Sequence, residues 1–406
     1  MSREIAQGSP ERPLDGIRIL DLSRAFSGPY CTMMLADLGA EVVKIENPVG
    51  GDETRQWTPM VQDQSGYFFA LNRSKRSVAI NLRTQAGQEI VHRLAAWADV
   101  AVENFTPGVA ARLGADYDTL RAINPRLIYC SISGFGQQGP YRLRKAYDPV
   151  AQALGGVMGL TGQPDGPPAK VGIPVGDIAP AMFAAIAVIA ALLWRERSGR
   201  GQYIDVAMLD CQVSWLSVQA AIYLHTGQVP RRMGSEHPGR MPTAAFLTAD
   251  GRYLHVVCND AQWPRLCEVL GLDDLGKNPR YAKNRQRSEL RHELMPRLQS
   301  TLLQRSAAEW ERLLVEAGIP CAPVNDVAEV FADPQVVARE IVQIFEFPGI
   351  GPVPGIRLPI RYDELETGIK ARPPRLGEHT RTVLTELGYG GAEIDAMLRA
   401  GIIAAP

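Results

Sequence analysis

Residues 16–46 read GIRILDLSRAFSGPYCTMMLADLGAEVVKIE, and this stretch decides the fold. Residues 16–23 form a short apolar run that predicts a buried strand. Residues 29–38 open on Pro29, which the first turn of a helix tolerates, and continue with good helix formers. Residues 41–46 (EVVKIE) predict a second strand, so the stretch makes one βαβ unit. The pattern recurs. Residues 76–82 (RSVAINL) read as a strand, Thr84 as the cap of a helix running to Ala96, residues 99–105 (DVAVENF) as extended chain, 108–113 as a short helix and 126–133 (RLIYCSIS) as a strand. Strands alternating with helices in this way predict an α/β fold whose mostly parallel sheet is covered on both faces.

With 406 residues the chain holds two or three domains at roughly 150 residues each. An apolar fraction of 46% with 21% charged residues excludes a disordered chain, a coiled coil and a collagen-like fibre. The 43 Lys and Arg balance 44 Asp and Glu, so no overall field draws the protein to nucleic acid or an anionic membrane, and any anion site is local. The six cysteines (31, 130, 211, 258, 267 and 321) form no CxxC pair and no Cys/His cluster, which argues against a metal or disulfide framework. Residues 1–12 are polar and lack a signal-peptide pattern, so cytoplasmic residence is expected. Residues 178–194 carry no charge, but they are Ala-rich and include Pro180; they read as a buried helix of a soluble core rather than a membrane span.

Beyond that helix, residues 198–202 (SGRGQ) predict a turn, 203–208 a strand and 210–225 a helix. The Gly-, Pro- and charge-rich stretch 227–239 then separates off a hairpin at 244–258, helices at 262–270 and 307–317, and an extended segment at 319–324. These place a smaller domain at residues 223–325, inside a large domain made of residues 1–222 and 326–406.

GFGQQG, with Gly134, Gly136 and Gly139, is formally GxGxxG after a strand, yet Pro140 and YRLRK follow where a dinucleotide site needs a helix. It reads as a glycine loop at a strand end. Walker, GxSxG and HExxH sequences are absent. Positive charge gathers at Arg73, Lys75 and Arg76, at Arg112, and at Arg142, Arg144 and Lys145: solvated surface charges, or together a phosphate site. Asp177, in VGIPVGD ahead of the long apolar helix, has the place of an N-cap, and the helix dipole there favours an ionised, nucleophilic carboxylate. Tyr147, Asp148, Gly155 and Gly156 (AYDPVAQALGG) either pack or line the same pocket, and His237 and His379 are lone loop histidines.

Taken together, residues 13–46, NRSKRSVAINL, VENFTPGVAARLG, SISGFGQQGPY, YDPVAQALGG, VGDIAPAM, GIPCAPVNDVAEVFADPQV and RLGEHT resemble the class III coenzyme A transferases. This CaiB/BaiF-like family includes formyl-CoA, carnitine and dicarboxylate CoA transferases and α-methylacyl-CoA racemase. The resemblance implies an acyl-CoA:carboxylate CoA-transferase with Asp177 as its nucleophile, passing through an aspartyl anhydride and an aspartyl-CoA thioester. It implies CoA contacts from Phe26, Ser27, Lys75, Arg76, Asn104, Phe105, Arg112 and Lys145, and a substrate pocket with Tyr147, Asp148, Gly155, Gly156 and His237. N–H donors for the developing negative charge are expected near Gly155 and Gly156 or just after Asp177. CoA enters as a substrate thioester, with no metal or redox cofactor. The implied assembly is an interlocked homodimer, each chain with a Rossmann-like large domain and a smaller α+β domain. Two departures narrow the reading. Tyr147 stands where the racemase branch has a histidine, which favours transfer over racemisation or epimerisation. The long glycine run of formyl-CoA transferase is replaced by GSEHPGRMPTAAF, closer to transferases acting on succinate-like dicarboxylates. A racemase of the same fold and a non-catalytic CoA-thioester binding protein are the alternative readings.

Overall fold

The computed structural model describes residues 12–406, so of the N-terminal residues 1–12 all but the last lie outside the described residues. The opening βαβ unit consists of β1 (Arg18–Asp21), α1 (Ser27–Asp37) and β2 (Glu41–Glu46). α1 starts two residues before Pro29, whose missing N–H costs nothing in a first turn. Next come α2 (Gly66–Asn72), β3 (Lys75–Ile80), α3 (Gln85–Trp97) and β4 (Val100–Glu103). Thr84 caps α3 as expected, accepting the Gly87 N–H at 3.1 Å. β5 (Ile128–Ser133), α4 (Asp148–Leu154), α5 (Val175–Ser198), β6 (Gln202–Ala207) and the C-terminal strand β7 (Ile403–Ala404) complete the framework.

The seven strands lie in the order β7-β3-β2-β1-β4-β5-β6, parallel except for β7, which runs antiparallel along β3 with Ile403 opposite Ile80. Consecutive residues of each strand point to opposite faces, and here both faces are covered. Ile19, Val42, Val100 and Ile128 meet α1 and α5, whereas Leu20, Val43, Val78 and Ala101 meet α3 and the helices Thr380–Glu386 and Gly391–Arg399. Strand order reverses at β1, with β2 on one side and β4 on the other. In such sheets the diverging loops at the C-terminal strand ends open a crevice.

α5 packs on the sheet through Ala179, Ala181, Ala184, Ala185 and Val188, small residues that let helix and sheet approach closely. Its opposite face leaves Met182, Phe183, Ile186, Leu193 and Trp194 exposed. The single helix expected over 210–225 is two, Met208–Trp215 and Ser217–Thr226, broken where Ser217 takes a positive φ of 43°. An unanticipated antiparallel hairpin, Val342–Phe347 with Gly351–Ile356, packs Phe345, Phe347 and Val353 on Phe68 and Phe69 of α2.

The chain divides into two compact units. The larger comprises the described residues up to Val157, Val171–Ala221 and Arg339–Pro406; the smaller comprises Met158–Lys170 and Ile222–Ala338. The smaller is α+β: strands Thr243–Leu247, Tyr253–Val257 and Cys321–Pro323 form an antiparallel sheet. Phe246, Leu254 and Val256 of that sheet share a core with Trp263, Leu298, Trp310 and Leu314.

Candidate active site

The site begins with the turn from β1 to α1. Gly28 lies so close to the start of this turn that a Cβ there would fall 2.2 Å from the Ser23 Cβ. Ala25 takes a positive φ of 62°, a conformation that costs a non-glycine residue energy and persists only where its surroundings hold it. Two anchors do so. On one side Asn104, just past β4, accepts the Arg24 N–H at 2.9 Å and donates to the Arg24 carbonyl at 2.7 Å. On the other, Asp52 accepts the Ala25 N–H at 3.2 Å, while Lys44 donates to the Ser23 carbonyl at 2.8 Å and pairs with Asp52 at 2.9 Å. Further back, Asp21 accepts from Ser23, from Thr32 at 2.7 Å and from Lys75 at 3.0 Å. Burial alone would raise the Asp21 carboxyl, but Lys75, Lys44 and the two hydroxyls outweigh it and hold it at about 2.

Asp177 was expected to cap its helix. Instead Pro174 is the N-cap residue and Asp177 sits in the first turn of α5. The capping carboxylate comes from Asp148, the first residue of α4, which accepts the Gly176 N–H at 2.7 Å and the Gln152 amide at 2.8 and 3.0 Å. Gly176 is required for that approach, because a Cβ would stand 2.6 Å from the Asp148 carbonyl oxygen. Asp177 is thereby released from capping. Its Oδ1 accepts the hydroxyl of Ser27, the first residue of α1, at 2.9 Å, and it forms no ion pair among the described residues. Burial pushes its carboxyl up; the Ser27 hydrogen bond opposes this and the nearby negative charge of Asp148 adds to it, leaving the group at about 6. The pull of the helix dipole toward the charged form does not offset burial here, although at neutral pH the ionised form still predominates.

Asp177 lines a cavity of about 230 Å³ together with other residues singled out from sequence, among them Phe26, Ser27, Asn104, Phe105, Lys145 and Tyr147. Arg142 and Arg144 line it too, and Arg24, Glu53 and Trp57 are lining residues the sequence reading missed. Tyr67 of α2 was also missed. Its ring stands edge-on to Trp57 at 5.0 Å, and the charges of Asp177 and Asp148 join burial in raising its hydroxyl pKa. A second cavity of about 300 Å³ shares Arg24 and Phe105 with the first and adds Asn81 and Arg83 from the end of β3. Both cavities open at the strand-order reversal between β1 and β4.

Other expected residues fall elsewhere. Lys75 is buried with its ammonium bonded to Asp21, the Pro29 carbonyl and Asn72, leaving no donor for a phosphate. Arg76 is held by Glu41 and Glu386, both at 2.7 Å. Both cations start β3, whereas the cavities lie past the strand ends, so both are corrected as phosphate ligands. Arg112 is exposed and bonds the Gly108 carbonyl at 3.2 Å; its helix reaches the second cavity through Val109 instead. Gly155 and Gly156 follow the far end of α4 from Asp148, and the Gly155 N–H is taken by the Ala151 carbonyl. The amides of Asp177 and Ile178 both bond the Pro174 carbonyl, so these two and the Gly155 amide are already engaged. His237 belongs to the smaller unit, where its Nδ1 accepts the Gly239 N–H at 3.0 Å. His379 holds β3 through the Ser77 backbone at 2.9 and 3.2 Å.

A carboxylate without a cationic partner among the described residues and a cation-rimmed cleft at a sheet's switch point agree with the relationship legible in the sequence. Residues 14–380 match CoA-transferase family III. The chain belongs to that family and is a CoA-transferase. It is 41% identical over 382 residues to succinate–glutarate CoA-transferase of Agrobacterium fabrum, covering 92% of this chain and 96% of that protein. It is 40% identical over 397 residues to succinyl-CoA:mesaconate CoA-transferase of Haloarcula hispanica, with coverages of 93% and 97%. A CaiB/BaiF family protein from Brucella suis shares its fold with a TM-score of 0.83 at 42% identity, over 93% of this chain and 99% of that one. As a CoA-transferase, the protein takes CoA thioesters as substrates.

Proposed function

We propose that this CoA-transferase moves CoA from succinyl-CoA or a similar acyl-CoA donor to a small dicarboxylic acid, through covalent intermediates on Asp177. The observation that carries the reading is the Asp177 carboxylate on the cavity wall, unpaired with any cation among the described residues and bonded only to Ser27. One carboxylate oxygen attacks the thioester carbonyl, the C–S bond breaks, and CoA thiolate leaves an aspartyl anhydride behind. The thiolate then adds to the Asp177 carbonyl carbon and expels the donor acid, giving an aspartyl-CoA thioester. An acceptor carboxylate reverses both steps. The two cavities, joined at Arg24 and Phe105, suit a ligand with its thioester at Asp177 and its nucleotide toward Asn81 and Arg83. Arg24 and Arg83 form no ion pair among the described residues and supply cations for phosphate. Dicarboxylate acceptors are supported by the names of the two relatives. Among the described residues no histidine lines the Asp177 cavity, which weighs against two-base racemisation.

The exposed apolar face of α5 supports homodimerisation, and six unpaired cysteines fit a reducing cytoplasm. Sedimentation as a single-chain species at micromolar concentration would remove the dimer. The substrate reading is tested by mixing the protein with succinyl-CoA and a panel of mono- and dicarboxylic acids, then identifying the CoA esters by mass spectrometry. Glutarate- or mesaconate-like acids should give new thioesters; exchange confined to monocarboxylates would remove the acceptor class.

A further inference from the structure

We infer that the Ser27 hydroxyl is a catalytic donor that stays on Asp177 Oδ1 throughout turnover and stabilises the oxyanion formed there each time the aspartyl carbon is attacked. The inference rests on the covalent reading above. Ser27 is buried, and its hydroxyl donates to Asp177 Oδ1 at 2.9 Å in the resting protein. In the anhydride the other oxygen, Oδ2, is acylated and Oδ1 is the carbonyl oxygen. When CoA thiolate adds to this carbon, the C=O electron pair moves onto Oδ1; when the tetrahedral species collapses, the bond to Oδ2 breaks and the donor acid leaves with that oxygen. Attack of the acceptor carboxylate on the aspartyl-CoA thioester puts charge on Oδ1 again, and CoA thiolate leaves. Both half-reactions thus develop negative charge on one atom, already within reach of a fixed donor.

Three features of the structure support this role. Three of the N–H donors expected from sequence are spent: Gly155 on Ala151, and Asp177 and Ile178 on Pro174. Ser27 opens the eleven-residue helix α1, and the backbone N–H groups of Ser27 and Gly28 meet no acceptor among the described residues, so the dipole at this end favours charge on Oδ1. Finally, the turn that delivers Ser27 is clamped by Asn104, Asp52 and Lys44, so the donor is set before the reaction instead of being reorganised during it.

Ser27→Ala separates this role from a purely structural one. At pH 8, where Asp177 is ionised with or without Ser27, kcat should fall about a hundred- to a thousandfold, the order expected for loss of one oxyanion donor. In single-turnover experiments, formation and discharge of the aspartyl-CoA thioester should slow together, with the CoA Kd within a few-fold of wild type. Ser27→Thr, which keeps a hydroxyl, should recover part of the rate, and thermal melting of both variants checks folding. An unchanged kcat at pH 8 with an acid limb merely moved to higher pH would overturn the proposal, since Ser27 would then only tune ionisation. Slowing of one half-reaction alone would also overturn it. Asp177→Ala is run in parallel: turnover surviving there removes the covalent reading and this proposal with it, whereas an inactive Asp177→Ala beside a fully active Ser27→Ala removes this proposal alone.

Discussion

Asp21, fully buried, and Asp177, half-buried on the cavity wall, both bond the segment that joins β1 to α1, yet they are driven in opposite directions, one to about 2 and the other to about 6. Asp21 has Lys75 at 3.0 Å, Lys44 nearby and two hydroxyls; Asp177 has one hydroxyl and a neighbouring carboxylate. The pair shows that desolvation acts on both carboxyls and that the neighbouring charges decide the direction. A buried carboxylate surrounded by cations becomes a structural tie, whereas one left without a cation keeps its charge available for bond formation and makes the fold bear the desolvation cost.

The comparison is broken most severely by removing the reactive group. Asp177→Ala should lower CoA exchange at least ~1000-fold while CoA affinity stays within a few-fold, measured by ester formation and by titration calorimetry. Residual exchange near wild type would erase the distinction between the two aspartates. Lys75→Ala should act on the other side of the comparison. It strands Asp21 without its buried partner, so denaturant melts should show a loss of about 3–5 kcal/mol, and a specific rise in CoA Kd at unchanged stability would restore Lys75 as a ligand.

A smaller effect of opposite sign is expected for Asp177→Asn. The Asp177 carboxyl is raised in the folded state above its unfolded value, so the folded protein binds more protons between about pH 4 and 6, and stability falls as pH rises through that window. Asparagine lacks this cost, so the variant should be more stable than wild type at pH 8 by up to about 3 kcal/mol, and the gain should vanish near pH 4. In the wild type the same group sets an acid limb of kcat/KM near pH 6, with activity dropping about tenfold per unit below it. A flat profile between pH 5 and 8 would contradict the assignment. Smallest of all, Arg24→Ala should raise the CoA KM about five- to tenfold with no change in melting temperature, the reverse of the Lys75 result.

The six parallel strands of the sheet were legible because each combines short length with apolar runs and turn signals that are local properties; Glu41–Glu46 emerges with its expected ends, whereas the two-residue β7 had no such signal. Residues 339–406 were far less legible. The hairpin Val342–Phe347 with Gly351–Ile356 carries Pro352 and Pro354, which weaken a strand pattern, and it is stabilised by aromatic contacts with α2 nearly 280 residues earlier in the chain. Asp177 could be found because it stands at a helix start within a long family resemblance, but its role as cap was misread because the cap is supplied from Asp148 in another helix. Lys75 and Arg76 looked like phosphate ligands for the same reason. A charge run carries no sign of partners such as Asp21 and Glu386, distant in sequence, that already occupy it. Arg24, Trp57 and Tyr67 had no local signal at all, since the crevice that assembles them exists only once β1 and β4 lie side by side.

The most direct test of covalent catalysis at Asp177 uses succinyl-CoA with an acceptor acid labelled with oxygen-18 in its carboxylates. After turnover, quenching and peptide mapping, the peptide containing Asp177 should carry heavy oxygen in that side chain, because the acceptor's oxygen bridges the anhydride and remains behind when CoA departs with the new acyl group. Continued turnover with an unlabelled Asp177 peptide would contradict the account.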